Sequence, residues 1–175
     1  MTKFPISPIF IPANKLDYVD KALNSGADGI IFDLEDSVLQ EDKISARDNL
    51  YAFLVKNSLD ILSYIRINDL NTETGITDLD FFKDLDYGII IPKFESDKDF
   101  IKIPDKLSII PLIETPLAIK NLGKIASGRN VTGLAFGAAD LSSIIGSEMN
   151  WDSMLYARSK IINECSINNI FSITM

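Results

Sequence analysis

The chain has 175 residues, of which 46% are hydrophobic and 24% are charged, a composition typical of one ordinary globular domain. Its 17 Lys and Arg residues against 25 Asp and Glu residues give a net charge of -8, which argues against nucleic acid as a partner because binding phosphates needs clustered cations. A single cysteine, Cys165, excludes an internal disulfide, and the absence of histidine excludes Ser-His-Asp and Cys-His catalysis.

Seven short apolar runs alternate with stretches of helical period along the chain, a pattern that predicts a parallel sheet or barrel. The runs cover residues 8–12, 29–34, 63–68, 88–92, 107–113, 131–136 and 170–174. They are apolar on both faces, as expected for strands that pack against helices on one side and fill a barrel interior on the other.

Helical spacing of apolar residues predicts four helices between these runs. They are a first helix with Asn14 as its N-cap and Gly26 at its end, a second at about residues 39–56, a third that begins at Thr115-Pro116, and a fourth at about residues 151–167. In the second helix, Ile44, Leu50 and Phe53 or Leu54 are expected to face inward. Residues 71–80 contain Gly, Thr and Asp without a helical period and are predicted to form a loop with one short turn.

The order of these elements predicts an α/β fold of the (β/α)8 TIM-barrel type, formed by a single domain over residues 1–175. A closed barrel of this type needs eight strands and typically ~250 residues, so the barrel is predicted to be truncated after about strand 7. The edges of its first and last strands would then be covered by a partner chain, or the chain is a fragment of a longer protein.

Ionisable side chains follow five successive strands, at the end where barrel enzymes place their active sites. They are Asp33, Glu35 and Asp36 after the second strand, Arg66 near the end of the third, Lys93 and Glu95 after the fourth, Glu114 after the fifth and Asp140 after the sixth. Because surface acids would not recur at the same place on successive strands, we interpret the set as one functional site.

Each of these residues also has a structural interpretation. The acids, taken singly, are consistent with positions in loops or before helices, where the helix dipole favours negative charge. Arg66 lies within an apolar strand and needs an anion, which could be a structural salt bridge instead of a substrate. The pair Lys93 and Glu95 is expected to form an ion pair behind the site and not a catalytic dyad.

Two carboxylates on neighbouring strand ends suit Mg2+ or Mn2+, which prefer oxygen ligands. An Arg beside the ion would complete a site for an anionic oxygen and would help to stabilise an enolate, which forms when a carbon–carbon bond next to a carbonyl is broken. The small residues Gly137, Ala138 and Ala139 would allow backbone N–H groups to approach a ligand oxygen closely. The residues therefore indicate an enzyme with a cation and enolate site.

Nine short motifs, in order and spacing, resemble the citrate lyase beta-subunit-like (HpcH/HpaI aldolase/citrate lyase) family over nearly the whole chain. They are FIPA at 10–13, SGADG at 25–29, DLEDSV at 33–38, Lys43 with Ala46-Arg47, RIN at 66–68, PKFES at 92–96, PLIET at 111–115, FGAADL at 136–141 and YARS at 156–159. The resemblance implies a Mg2+-dependent lyase that cleaves a 3-hydroxy-acyl thioester of the citryl-, malyl- or citramalyl-CoA type through a metal-stabilised enolate.

The resemblance also implies roles for single residues. Glu114 and Asp140 match the metal ligands, Arg66, Glu35 and Asp36 match catalytic positions, and substrate contacts are expected at Arg66, Gly137, Ala138 and Lys93. The partners implied are a small carboxylate or acyl-CoA substrate and further copies of the chain, in a trimer or a multiple of it. No secretory signal and no apolar stretch of the ~20 residues that span a bilayer are evident, so we expect a cytoplasmic protein without a membrane partner.

The chain departs from the family pattern at three places. Ile6-Ser7 replaces the usual Arg-Ser before the first strand, and Ala139 replaces the usual acid before Asp140. Family members also continue beyond strand 7 with a C-terminal region that closes over a neighbouring subunit's site. The alternative function is therefore a truncated, catalytically weak scaffold or complex subunit that binds metal and small keto acids.

Overall fold

The computed structural model describes residues 5–174, which group into two compact units, Met1–Ile89 and Ile90–Met175. Both units are built from parallel strands that alternate with helices, so the predicted α/β class is confirmed. The strand β4 (Gly88–Ile91) contributes residues to each unit. All seven predicted strands are present, and their ends lie within two residues of the prediction.

The first unit contains three parallel strands in the order β1 (Pro8–Pro12), β2 (Gly29–Asp33) and β3 (Leu62–Arg66). Every residue of β2 is buried, because helices cover the sheet and the strand has a neighbour on each side. The register pairs Asp33 with Arg66, which brings the last residue of β2 beside the last residue of β3.

Two helices connect these strands, α1 (Val19–Leu23) and α2 (Lys43–Lys56), each after a short 3-10 turn, and a third helix, α3 (Glu73–Phe82), follows β3. The predicted cap at Asn14 is wrong, because the chain enters the 3-10 turn at Lys15 without a side-chain cap. Ile44 is also not inward, since it lies on the outer face of α2 and is 63% exposed, whereas Leu50 and Leu54 are buried as expected.

The loop predicted over residues 71–80 is wrong, because most of it forms α3. The Thr72 side chain caps this helix by accepting a hydrogen bond from the Gly75 N–H at 3.1 Å. Leu79 and Phe82 bury one face of the helix, so tertiary packing outweighs the weak helical propensity of its first turn.

The second unit contains β5 (Ile109–Ile113), β6 (Gly133–Phe136) and β7 (Phe171–Thr174), again parallel and in chain order. Its helices are α4 (Pro116–Ala126), α5 (Ala138–Ile145) and α6 (Trp151–Asn168). The predicted start of α4 is confirmed, because the Thr115 side chain accepts a hydrogen bond from the Ala118 N–H at 3.1 Å and Pro116 occupies the first turn. Within residues 5–174, no helix has both the length and the apolar character that crossing a membrane requires.

Candidate functional site

A buried ion pair joins the ends of β2 and β3 in the first unit. The Arg66 Nε donates to Asp33 Oδ1 at 2.7 Å, and its Nη2 donates to Asp33 Oδ2 at 2.8 Å. Asp33 is 1% exposed and Arg66 is 9% exposed. Two parallel hydrogen bonds of this kind fix the plane of the guanidinium as well as its position.

The electrostatics of this pair keep both groups charged. Burial disfavours the carboxylate of Asp33, but the hydrogen bonds and positive charge of Arg66 outweigh it and hold the pKa of Asp33 below its ordinary value. Burial likewise disfavours the guanidinium, and the carboxylates of Asp33, Glu35 and Asp36 outweigh it and raise the pKa of Arg66.

The remaining edge of the guanidinium faces the other two acids of the DLED motif. Arg66 Nη1 lies 3.4 Å from Glu35 Oε2 and 3.2 Å from Asp36 Oδ2. The side chain also packs over the Phe10 ring, with its central carbon 5.1 Å from the ring centroid. The structure therefore brings Arg66, Glu35 and Asp36 together, as predicted. At the centre of this group lies the salt bridge between Arg66 and Asp33, which is the structural interpretation that the sequence also allows for Arg66.

Asp33 and Lys43 hold the segment that contains Glu35. Asp33 accepts backbone hydrogen bonds from Glu35 N at 2.9 Å and from Ser37 N at 3.0 Å. From the other side, Lys43 Nζ donates to the carbonyl oxygens of Leu34 at 2.9 Å and Glu35 at 2.8 Å. The backbone after β2 is thus tied both to the Arg66 ion pair and to the start of α2.

A second buried polar group lies just beyond Arg66 along the chain. Asp78 of α3 is fully buried, and its Oδ2 accepts hydrogen bonds from Asn68 N at 3.0 Å and Asn68 Nδ2 at 2.6 Å. Its Oδ1 lies 3.5 Å from Arg47 Nη1. Burial raises the pKa of Asp78, although the hydrogen bonds from Asn68 and the charge of Arg47 oppose the shift. This network fixes the loop that follows Arg66.

In the second unit, a buried carboxylate follows β5. Glu114 is 3% exposed, and its Oε1 accepts a hydrogen bond from the Lys93 N–H at 2.7 Å. Lys93 adopts a left-handed backbone with φ of 51°, which is uncommon for a residue with a side chain and often marks a functional position. The Lys93 side chain itself is exposed, so its predicted substrate contact stays a prediction.

The carboxylate of Glu114 lies against the start of α5. A Cβ added to Gly137 would meet Glu114 Cβ at 2.8 Å and Oε2 at 2.9 Å, so only glycine fits beside this side chain. Gly137 is the N-cap of α5, Ala138 is buried in its first turn, and Asp140 is exposed in the same turn. The negative charges are therefore near the positive end of the helix dipole.

Two expectations for this region have different outcomes. The prediction of an ion pair between Lys93 and Glu95 is wrong, because no such contact exists among residues 5–174. The Glu95 carbonyl instead accepts a hydrogen bond from Asn121 Nδ2 at 2.9 Å. Among the described residues, no three or more Asp, Glu or Cys side chains lie close enough together to hold a metal ion. Coordination by Glu114 and Asp140 therefore stays a prediction.

Comparison with known protein families identifies a relationship over most of the chain. A sequence model of the family described as HpcH/HpaI aldolase/citrate lyase matches residues 7–175. The chain belongs to the HpcH/HpaI aldolase/citrate lyase family. The predicted family resemblance is confirmed.

Two curated members of the HpcH/HpaI family illustrate the relationship. A (3S)-malyl-CoA thioesterase from Cereibacter sphaeroides is 34% identical over 158 residues, a match that covers 85% of this chain and 54% of the relative. The citrate lyase subunit beta from Escherichia coli is 28% identical over 175 residues, covering 89% of this chain and 58% of the relative. The chain thus spans little more than half the length of these relatives.

Solved structures of the family confirm the fold type. The citrate lyase beta subunit from Mycobacterium tuberculosis, complexed with oxaloacetate and magnesium, is 27% identical and superposes with a TM-score of 0.83 over 95% of this chain and 76% of that chain. The chain therefore has the α/β fold of the citrate lyase beta subunit, with seven strands among the described residues, as predicted for a chain of the TIM-barrel type.

The YARS motif of the family lies in α6. Arg158 stacks on the Trp151 ring, 4.9 Å from its centroid, and lies 6.0 Å from the Phe136 ring. These side chains line a cavity of about 470 Å3 in the second unit, together with residues of β7. The motif therefore organises the packing of α6 beside the end of β6.

Sequence reasoning missed the partner of Arg66. Asp33 is one of the three acids that follow the second apolar run, but the sequence pattern assigns it no role. The strand register is the signal that could have identified it as the partner. In parallel strands of equal length, the last residues of β2 and β3 are neighbours, so Asp33 is the acid nearest to Arg66. The pair Asn68 and Asp78 was missed because α3 was not predicted.

Proposed function

We propose that this protein is a Mg2+-dependent carbon–carbon lyase that cleaves a 3-hydroxy-acyl thioester of the citryl-, malyl- or citramalyl-CoA type. The main supporting observation is the buried Glu114 carboxylate beside Gly137 and the first turn of α5. Family membership supports the same chemistry, and a related structure, protein CitE from Mycobacterium tuberculosis, contains magnesium, acetoacetate and coenzyme A.

The residues of this centre fit a magnesium ion. Glu114 and Asp140 supply carboxylate oxygens, which are the ligands that Mg2+ and Mn2+ prefer. The missing side chain at Gly137 makes room for the Glu114 carboxylate, since a Cβ there would lie 2.9 Å from Glu114 Oε2. We propose that Glu114 and Asp140 hold the ion and that the backbone N–H of Ala138 assists substrate binding. A bound Mg2+ would polarise the substrate carbonyl and stabilise negative charge on its oxygen.

The Arg66 cluster is proposed to serve the same reaction through its own groups. The Nη1 of Arg66 would bind a carboxylate or carbonyl oxygen of the substrate, since its Nε and Nη2 are already engaged by Asp33. In the cleavage, the 3-hydroxyl loses its proton and its oxygen forms the C3=O double bond, while the C2–C3 bond breaks and its electrons remain on C2 as the thioester enolate. A proton from solvent then adds to C2 and gives the acyl thioester. Glu35 or Asp36 would accept the proton of the 3-hydroxyl, because both carboxylates lie beside Arg66 Nη1.

Hydrolysis of the thioester is a second candidate function. It is favoured by the relationship to the (3S)-malyl-CoA thioesterase, which is 34% identical. The same site would bind the same substrate, but water would attack the thioester carbonyl and the carbon–carbon bond would stay intact. The same experiment also tests a third function, that of a catalytically weak scaffold that binds metal and small keto acids.

The products separate these functions. The protein would be incubated with (3S)-malyl-CoA, citramalyl-CoA or oxaloacetate and Mg2+, and the products identified by mass spectrometry. From malyl-CoA, a lyase releases glyoxylate and acetyl-CoA, whereas a thioesterase releases malate and free CoA. We expect the lyase products. Malate with free CoA would support the thioesterase, and a folded protein that releases nothing would support the scaffold.

Two variants test the proposed metal ligands in the same assay. Glu114→Ala and Asp140→Ala should each abolish turnover. Asp152→Ala is the matched control, because Asp152 is also an exposed acid in the first turn of a helix, α6, but belongs to neither cluster. Equal activity of Asp140→Ala and Asp152→Ala would contradict the assignment of Asp140.

We further propose that the protein acts in the cytoplasm as a homo-oligomer. Support for the oligomer comes from β1, which pairs only with β2 within the described residues. Exposed edges of this kind are normally covered in native proteins. Light scattering during size-exclusion chromatography would test the oligomer, and a mass of 19.4 kDa would indicate a monomer.

A further inference from the structure

We infer that Asp33 is a positioning residue, which fixes both the guanidinium of Arg66 and the backbone segment that presents Glu35. Its effect on turnover rests on the proposed function, whereas its effect on Arg66 can be measured without any substrate. Neither the family relationship nor the sequence pattern assigns this role to Asp33.

The carboxylate of Asp33 accepts four hydrogen bonds. Oδ1 accepts from Arg66 Nε at 2.7 Å and from Glu35 N at 2.9 Å, and Oδ2 accepts from Arg66 Nη2 at 2.8 Å and from Ser37 N at 3.0 Å. Each oxygen therefore joins one guanidinium donor to one backbone donor. A shift of the carboxylate would move Arg66 and the segment after β2 together.

The burial of Asp33 makes this arrangement rigid. At 1% exposure, water cannot replace a lost partner, and a buried donor without an acceptor is costly. Asp33 is also the last residue of β2, so its backbone is held by β1 on one side and β3 on the other. The side chain is thus fixed at its base by the sheet and at its end by four donors.

The same geometry determines which edge of Arg66 can meet a substrate. Because Asp33 occupies Nε and Nη2, the Nη1 edge points toward Glu35 and Asp36, at 3.4 and 3.2 Å. Without Asp33, the guanidinium could rotate and form a bidentate ion pair with one of these two acids. Its Nη1 would then be unable to bind a substrate oxygen. Asp33 therefore leaves Nη1 as the part of the guanidinium that a substrate oxygen could share with Glu35 and Asp36.

Nuclear magnetic resonance of the Arg66 Nε–H tests the positioning directly. In the wild-type protein we expect a sharp signal in slow exchange with water, assigned by its loss in Arg66→Lys. In Asp33→Asn, one carboxylate oxygen becomes an amide donor, so exchange should become at least about tenfold faster, as expected for losing a charge-assisted hydrogen bond. Asp33→Glu keeps the charge and should retain protection in part.

Two results would overturn the inference. One is fast exchange of the Arg66 Nε–H in the wild-type protein, a measurement that does not depend on the folding of any variant. The other is unchanged protection of this group in a folded Asp33→Asn protein. Asp28→Asn is the matched control, because Asp28 precedes the same strand and accepts backbone hydrogen bonds from Ile6 and Ser7 at 2.7 and 2.8 Å, remote from Arg66 in sequence and register.

Kinetics test the consequence for the proposed reaction. In Asp33→Asn, KM for malyl-CoA should rise about tenfold or more because Nη1 is misplaced, and Asp33→Glu should recover part of this loss. A merely structural residue would lower the melting temperature without changing KM. If the wild-type protein shows no turnover, the proposed function fails, while the exchange measurement still decides whether Asp33 positions Arg66.

Discussion

At the scale of single residues, Gly137 shows how a missing side chain can shape a carboxylate centre. The buried Glu114 occupies the space that a Cβ at this position would need, at separations of 2.8 and 2.9 Å. Such distances are shorter than carbon and oxygen atoms tolerate, so a larger residue must displace the Glu114 side chain. The absence of a side chain at Gly137 therefore determines how Glu114 packs in the second unit.

Gly137→Ala tests this control. We expect a loss of about 1 to 3 kcal/mol in the free energy of unfolding because the site becomes overpacked. Mg2+ affinity, measured by calorimetry, should fall at the same time because Glu114 is displaced. Gly123→Ala is the control, since a Cβ there makes ordinary contacts of 3.5 Å with Glu164 in the middle of α4. Unchanged Mg2+ binding in Gly137→Ala would contradict the proposed role of Glu114.

Asp33 provides a pH-dependent prediction. Its pKa is lower in the folded chain than in the unfolded chain, so its contribution to stability is complete above the unfolded value and disappears as pH falls through the folded value. Asp33→Asn should therefore cost about 3 kcal/mol at pH 7, as expected for breaking a buried ion pair, and the difference should shrink below about pH 4. Urea unfolding across this range would measure it. A constant difference down to pH 2 would indicate another cause.

At the scale of elements, the strands could be predicted from the sequence and one helix could not. Short apolar runs, such as the fully buried β2, predict the strands, and Thr115-Pro116 predicts the start of α4. The helix α3 was missed because Gly75 and two Thr residues give its first turn the composition of a loop. Only the folded structure shows that Asp78 is buried among partners from a distant part of the chain.

The same contrast applies to the candidate site. The strand-end positions of Arg66, Glu35, Asp36 and Glu114 could be predicted, because a repeated placement after successive strands is visible in the sequence. Their hydrogen-bond partners could not, because these depend on the register and on backbone conformation. The left-handed backbone of Lys93, which aims its N–H at Glu114, has no signature such as a glycine.

Gly75→Ala tests the packing of α3 against the loop after β3. A Cβ at this position would lie 2.1 Å from the Asp69 carbonyl oxygen and 2.5 Å from that of Asn68, so the helix must move away. We expect a loss of about 3 kcal/mol in the free energy of unfolding and faster amide hydrogen exchange in α3. Ile76→Ala, which changes a side chain that is 55% exposed in the same helix, is the control. A fully stable Gly75→Ala protein would show that this close approach is not required.

At the scale of the whole molecule, the net charge of -8 affects any polyanionic substrate. A CoA thioester has several negative phosphates, and the overall repulsion between like charges is screened by salt. We therefore expect KM for malyl-CoA to fall about threefold as the ionic strength rises from low to physiological values. Malyl-pantetheine, which lacks the nucleotide phosphates, should show a weaker dependence in the same steady-state assay. An increase of KM with salt would instead indicate a locally basic CoA site.

The stacking of Trp151 on Arg158 makes the second unit optically distinct. Trp151 is the chain's one tryptophan, so fluorescence excited at wavelengths that only indole absorbs reports on the unit Ile90–Met175 alone. Circular dichroism reports on the helices of both units. If the chain unfolds as the single domain expected from its sequence, the two signals will change at the same urea concentration. If the units unfold separately, circular dichroism will show a further transition in which the tryptophan fluorescence does not change.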